Sequence, residues 1–213
     1  FFDAIAIDKV VGAGHAKAPF DTQTPFYVLL EFEAVSDSVL DTAMNTFESA
    51  MEDGLIVDGV MSQSMGQLQE LWKLRESISE TISVFTPYKN DISVLITHLE
   101  AFIADIETIV KENYPDFEIC WFGHIGDGNL HLNILKPENL SRDEFFAKCK
   151  TVNKYVFDTV KKYKGSISAE HGVGMTKKPY LDYTRSPADI EYMKAVKAVF
   201  DPNGIMNKGK IFD

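Results

Sequence analysis

The stretch Trp121–Leu135, Trp-Phe-Gly-His-Ile-Gly-Asp-Gly-Asn-Leu-His-Leu-Asn-Ile-Leu, restricts this chain more than any other. Apolar runs flank Gly126-Asp127-Gly128-Asn129, where glycine and asparagine accept positive φ at little cost, so the segment predicts two strands joined by a turn. His124 then ends the first strand and His131 lies near the start of the second. Strand side chains alternate, so His131, Asn133 and Leu135 share one face and Leu130, Leu132 and Ile134 the other. An imidazole and an amide on one face of a buried strand need a polar partner there.

The remaining chain supplies elements to pack on this hairpin. The expected order is an amphipathic helix in residues 1–12 whose beginning is missing, a loop over 13–25, and a strand Phe26–Ala34. A helix from Ser36 or Asp37 to Asp53 follows, with Leu40, Ala43, Met44, Phe47 and Met51 as its stripe. Then come a strand Leu55–Ser62 and a long helix Ser64–Phe85 with Leu68, Leu71, Trp72, Arg75, Ile78, Ser79 and Ile82 on one side. After Pro87 come a strand Ile92–Ile96, a helix Leu99–Asn113 and the hairpin. A helix Ser141–Lys164, closed by Gly165, has Phe145, Cys149, Val152, Tyr155, Val156 and Val160 as its core face. A short strand Ser166–Ala169, a helix Pro187–Phe200, a turn at Asp201-Pro202-Asn203-Gly204 and an extended tail complete the chain. The order predicts an α+β fold: ferredoxin-like antiparallel sheets, in one or two units, with helices packed on one face.

Composition removes several functions. With 213 residues, 45% hydrophobic and 15 Phe, the chain can fill one large core or two small ones. A net charge of −11 argues against a nucleic-acid or anionic-membrane surface, though local cations can still hold an anionic ligand. Cys120 and Cys149 stand in no metal or redox spacing, so two reduced thiols and a cytoplasmic location are expected. No apolar run approaches the roughly 18 residues of a membrane span. The chain lacks an initiator Met and opens on Phe1-Phe2, which reads as a piece of a longer polypeptide.

The hairpin's polar partner is expected in Ser166-Ile167-Ser168-Ala169-Glu170-His171-Gly172-Val173-Gly174. Three of the five histidines lie in these two glycine-rich segments. His124, His131 and Glu170 would form a donor set for a divalent metal such as zinc, with a position open for substrate. A histidine in a glycine-rich turn is equally an ordinary hydrogen-bonded loop residue, and pattern leaves both readings open. Arg75 on its apolar stripe either snorkels to the surface or clamps a carboxylate, with Ser79 one turn on and Lys89 as a second cation. His15 and His98 read as ordinary loop residues. Gly126 and Gly128 are no dinucleotide fingerprint, because no helix follows.

Gly123-His124-Ile125-Gly126-Asp127-Gly128-Asn129-Leu130-His131, Ser168-Ala169-Glu170-His171-Gly172-Val173-Gly174 and Asp201-Pro202-Asn203-Gly204-Ile205-Met206-Asn207 together resemble the C-terminal domain of FAD-linked oxidases. These are the flavin-dependent D-2-hydroxyacid dehydrogenases, which include D-lactate dehydrogenase, the glycolate oxidase flavin subunit and D-2-hydroxyglutarate dehydrogenase. The resemblance covers nearly the whole chain. It implies that His124, His131 and Glu170 hold a metal, usually zinc. It implies that His171 is the catalytic base, that Asn133 contacts substrate and that Asn207, in the tail motif, lies toward the cofactor. Arg75, Ser79 and Lys89 match substrate-carboxylate positions of the D-2-hydroxyglutarate branch. Ser79 stands where Thr is common there, which keeps the hydroxyl, and Lys208 stands where Pro is common.

Nothing in the chain resembles the family's glycine-rich pyrophosphate loop. The chain then corresponds to residues 1–213 of a substrate and cap domain, cut at its N-terminal side, whose FAD-binding domain lies elsewhere. The expected partners are that domain, a small-molecule 2-hydroxy acid and a second copy in a homodimer. The expected reaction is oxidation of a D-2-hydroxy acid, 2-hydroxyglutarate or lactate, to the 2-oxo acid. Two other readings stand beside it: a non-catalytic metal-binding or dimerisation module, and a stand-alone metal hydrolase.

Overall fold

The computed structural model describes residues 1–212. The chain forms two compact units, Phe1–Val84 and Phe85–Asp213. In both, antiparallel strands combine with helices, the α+β class expected.

In the first unit, β1 (Phe2–Asp3) pairs antiparallel with β2 (Phe26–Tyr27). Helix α1 (Ala4–Gly12) starts within the chain, contrary to expectation: the Asp3 carboxylate accepts the Ala6 N–H at 2.8 Å and caps it. Ala6, Ile7 and Val10 form its buried face. Helix α2 (Asp37–Glu52) forms as predicted, yet its apolar stripe stays partly exposed. The helix expected over Ser64–Phe85 is broken at Ser77. It becomes α3 (Met65–Glu76), α4 (Ile78–Thr81) and a 3₁₀ turn over Ile82–Phe85. Of the predicted stripe only Ile78 and Ile82 are buried; Leu74, outside it, is the buried residue of α3, and Ser79 is exposed.

Two strands predicted here are corrected. β2 stops at Tyr27 rather than Ala34, and no strand forms over Leu55–Ser62. β-branched and aromatic residues favour a strand only where a partner edge exists, and β1 offers two residues. Leu30 and Leu55 are each 79% exposed instead.

The second unit carries the ferredoxin-like pattern. β3 (Tyr88–Ser93), α5 (Leu99–Asn113), β4 (Glu118–His124), β5 (Asn129–Leu135) and α6 (Arg142–Lys162) follow in turn. β5 lies between β4 and β3, and both pairings are antiparallel. The fourth strand, predicted at Ser166–Ala169, shrinks to a single bridge, Ser166 to Ser93. Helix α7 (Pro187–Phe200) follows, with Ser186 and Asp189 as a capping box.

One face of this sheet makes the core. Ile92, Trp121, Leu130, Leu132 and Ile134 are fully buried. Phe102, Ile106 and Val110 of α5, and Phe145, Cys149, Val152 and Val156 of α6, are buried with them. Each such side chain contributes about 1.5–3 kcal/mol through burial. A polar chain ties helix to sheet: Asn90 Nδ2 donates to Asn153 Oδ1 at 3.0 Å, and Asn153 Nδ2 donates to the Tyr88 hydroxyl at 2.6 Å. Burial pushes the Cys149 thiol up to about 12 and, with the same cause, the Tyr88 phenol also to about 12. Tyr155, expected inside, is exposed; Asn153 and Phe157 take the buried positions.

β3 begins earlier than predicted and ends at Ser93, because its polar residues alternate and were read as loop. The left-handed residue after α6 is Lys164 (φ 52°), not Gly165. Gly165 is needed for another reason: a Cβ there would lie 2.3 Å from the Ser93 carbonyl oxygen. The tail after Gly204 turns rather than extends, and Ile211 N–H donates to the Gly174 carbonyl at 2.8 Å. Among the described residues, no helix is long and apolar enough to cross a membrane.

The hairpin turn is a 3₁₀ segment, Ile125–Asp127, closed by Gly128 at φ 73°. A Cβ on Gly128 would sit 1.9 Å from the Val94 carbonyl oxygen. Gly128→Ala is therefore expected to cost about 3 kcal/mol or more, from a strained φ and a backbone clash together. Urea unfolding checks this; a loss below about 1 kcal/mol would show that the backbone yields at low cost.

Candidate metal and substrate site

The second face of the sheet is polar, and its register builds the site. Residues directly opposite on antiparallel strands point to the same side. One row is Asp91, His131 and Phe122; the next is Ser93, Asn129 and His124; the third is Lys89, Asn133 and Cys120. The loop that follows the Ser166 bridge brings Glu170 and His171 to the first two rows.

His124 Nε2 lies 3.5 Å from Glu170 Oε1. Ligand atoms of His124, His131 and Glu170 all lie within 4.8 Å of one another. Bonds of about 2.05 Å at tetrahedral angles place donor atoms roughly 3.3 Å apart. Two imidazole nitrogens and a carboxylate oxygen at this spacing fit a divalent ion such as zinc with one position open. Asn129 Nδ2 donates a short hydrogen bond to Glu170 Oε1, which holds the carboxylate toward the histidines. The His131 ring stands 5.8 Å from the His171 ring, nearly parallel to it, and 6.3 Å from the His124 ring.

Sequence reading missed Asp91, which sits at the centre of this arrangement and is 3% exposed. Its Oδ2 accepts three successive backbone N–H groups, from Ala169 (3.2 Å), Glu170 (2.8 Å) and His171 (2.9 Å). Its Oδ1 lies 3.5 Å from His131 Nδ1, and its Oδ2 lies 3.8 Å from His171 Nδ1. Burial by itself would raise the Asp91 carboxyl. The N–H groups of His171 and Glu170 and the charges of His171 and Lys177 outweigh burial and hold it below the usual carboxylate value. Lys177, also missed, donates from Nζ to the Asp91 carbonyl at 2.7 Å. Burial lowers its ammonium pKa, against the opposing pull of Asp91. The signal for Asp91 was the alternation Lys89-x-Asp91-x-Ser93; nothing in the sequence marked Lys177.

Asp91, His131 and His171 form a second set of donor atoms within 4.8 Å. Three amides already occupy Asp91 Oδ2, so Oδ1 is the carboxylate oxygen left to that set.

The other predicted residues are placed as follows. Asn133 is buried on the polar face, and its Nδ2 donates to the Cys120 and His131 carbonyls at 3.2 and 3.1 Å. Lys89 is exposed on the same face. Arg75, half-buried on α3, and Ser79, exposed on α4, belong to the Phe1–Val84 unit. Asn207 is exposed with φ 48° and lines a surface recess with Lys194, Lys197 and Lys208.

The chain matches the family described as FAD linked oxidases, C-terminal domain, over residues 1–211. It is 68% identical over its whole length to a D-2-hydroxyglutarate dehydrogenase of Stutzerimonas stutzeri, covering 46% of that protein. It is 46% identical to a D-2-hydroxyglutarate dehydrogenase of Xanthomonas citri, again over the whole chain and 45% of the relative. A putative mitochondrial D-lactate dehydrogenase of Schizosaccharomyces pombe is 38% identical over 94% of the chain and 39% of its own length. The chain thus spans less than half the length of these relatives.

Proposed function

Since the chain belongs to the FAD-linked oxidases, C-terminal domain, we propose that it is the metal- and substrate-binding part of a flavin-dependent oxidoreductase. The enzyme would oxidise a D-2-hydroxy acid, with 2-hydroxyglutarate favoured over lactate, to the 2-oxo acid. The observation that carries this reading is the convergence of His124, His131 and Glu170, from two separate segments, on one point beside His171. The names of the relatives at 68% and 46% identity favour the dicarboxylate. FAD would be held mainly by the other half of the full-length protein. Both cysteines are buried, which fits a reducing compartment such as the cytoplasm.

When bound, the metal would supply Lewis acidity to the substrate oxygens, and FAD would accept the hydride from C2. The chain's residues do the rest. His171, with an exposed ring, takes the C2 hydroxyl proton, and the Asp91 carboxylate stands 3.8 Å from its Nδ1. Lys89 holds a carboxylate of the substrate, and Asn133 orients the bound acid.

A substrate screen on the full-length protein, followed by loss of flavin absorbance, tests this. D-2-hydroxyglutarate is expected to bleach the flavin; no bleaching by any D-2-hydroxy acid would sink the reading. Lys89→Met is expected to raise KM for D-2-hydroxyglutarate by about 10- to 100-fold, the worth of a charged hydrogen bond. KM for D-lactate, with one carboxylate fewer, should change far less. Equal effects on both would remove Lys89 from recognition of the second carboxylate.

A further inference from the structure

We propose that Asp91 is a positioning residue that assembles the metal site from its two halves, an inference that rests on the metal reading above. The observations are an orphan and a clamp. Asp91 Oδ1 is buried without a hydrogen-bond partner, yet it is aimed at His131 Nδ1, 3.5 Å away. Asp91 Oδ2 gathers the N–H groups of Ala169, Glu170 and His171. One carboxylate therefore touches both the strand that carries His131 and the loop that carries Glu170 and His171.

The consequence for His131 is a defined tautomer. A carboxylate against Nδ1 favours the proton on that nitrogen and leaves Nε2, with its lone pair, to bind metal. The orphaned oxygen gains a donor in that Nδ1–H. The consequence for Glu170 is position: its own N–H and both neighbouring N–H groups are fixed on one oxygen, which holds its main chain beside β3, and Asn129 Nδ2 holds its side-chain oxygen. Lys177, bonded to the Asp91 carbonyl, secures the same strand residue from its main chain.

Asp91→Asn separates the two tasks. The amide oxygen can still accept the loop N–H groups, but its NH₂ would then face His131 Nδ1. That arrangement calls for the opposite tautomer and puts the proton on Nε2. In the full-length protein, zinc affinity measured by competition with a chromophoric chelator is expected to fall 10- to 100-fold, with FAD content retained. Unchanged zinc affinity overturns the proposal, whatever happens to unfolding, because it leaves Asp91 as a loop clamp only. A wild-type protein that takes up no zinc overturns the metal reading and this inference with it. If the variant does not fold, a crystal structure of the zinc-loaded wild type decides. Ligation through His131 Nε2 with Nδ1 facing Asp91 supports the assignment, and ligation through Nδ1 overturns it.

Discussion

Replacing His171 by alanine in the full-length enzyme is expected to slow flavin reduction by D-2-hydroxyglutarate about 10²- to 10⁴-fold, the usual worth of a general base. FAD should remain bound. The structure makes this substitution clean. The His171 ring is exposed, and the loop is held by the main-chain N–H of the same residue on Asp91, which alanine keeps. Stopped-flow reduction at saturating substrate measures the effect, and the loss should fall on the reduction rate rather than on KM. Reduction at the wild-type rate would remove His171 from proton transfer.

The second large effect concerns the metal ligands. Treatment with a chelator is expected to abolish turnover, and added zinc, cobalt or manganese to restore it. Glu170→Gln is the sharper form of the experiment. A glutamine oxygen can still accept from Asn129 Nδ2, so the carboxylate charge is the main thing removed. Metal content by elemental analysis should fall with activity, by at least about tenfold in affinity. A metal-free protein that still oxidises substrate at full rate would sink the ligand assignment.

The parts legible from sequence were those with short-range signals. Helices Leu99–Asn113 and Pro187–Phe200 follow periodicity, caps and proline, and form with the bounds expected. The hairpin follows from its glycines; His124 ends the first strand and His131 lies near the start of the second, as expected. Strands over Phe26–Ala34 and Leu55–Ser62 looked sound by composition, but a strand is a pairing, and composition does not name the partner. β3 was displaced because Lys89 and Asp91, polar on one face, hid an alternation whose other face is buried Asn90 and Ile92. For Asp91 the sequence offered only its place in that alternation, which puts it on the polar face without marking its role. Its function arises from backbone N–H groups nearly eighty positions away, which carry no side-chain signature.

The distribution of ligands along the chain has a consequence for biosynthesis. His124 and His131 leave the ribosome close together, on one hairpin, while Glu170 and the amides that grip Asp91 come considerably later. A nascent chain that ends between them holds two imidazoles and a carboxylate clamp with nothing to clamp. If the proposed ligands hold a metal, its tight uptake would be a late step in synthesis, after β3, β4, β5 and α6 have been made. An ion held there would tie the hairpin to a distant loop, as a cross-link does, and would make that loop harder to unravel.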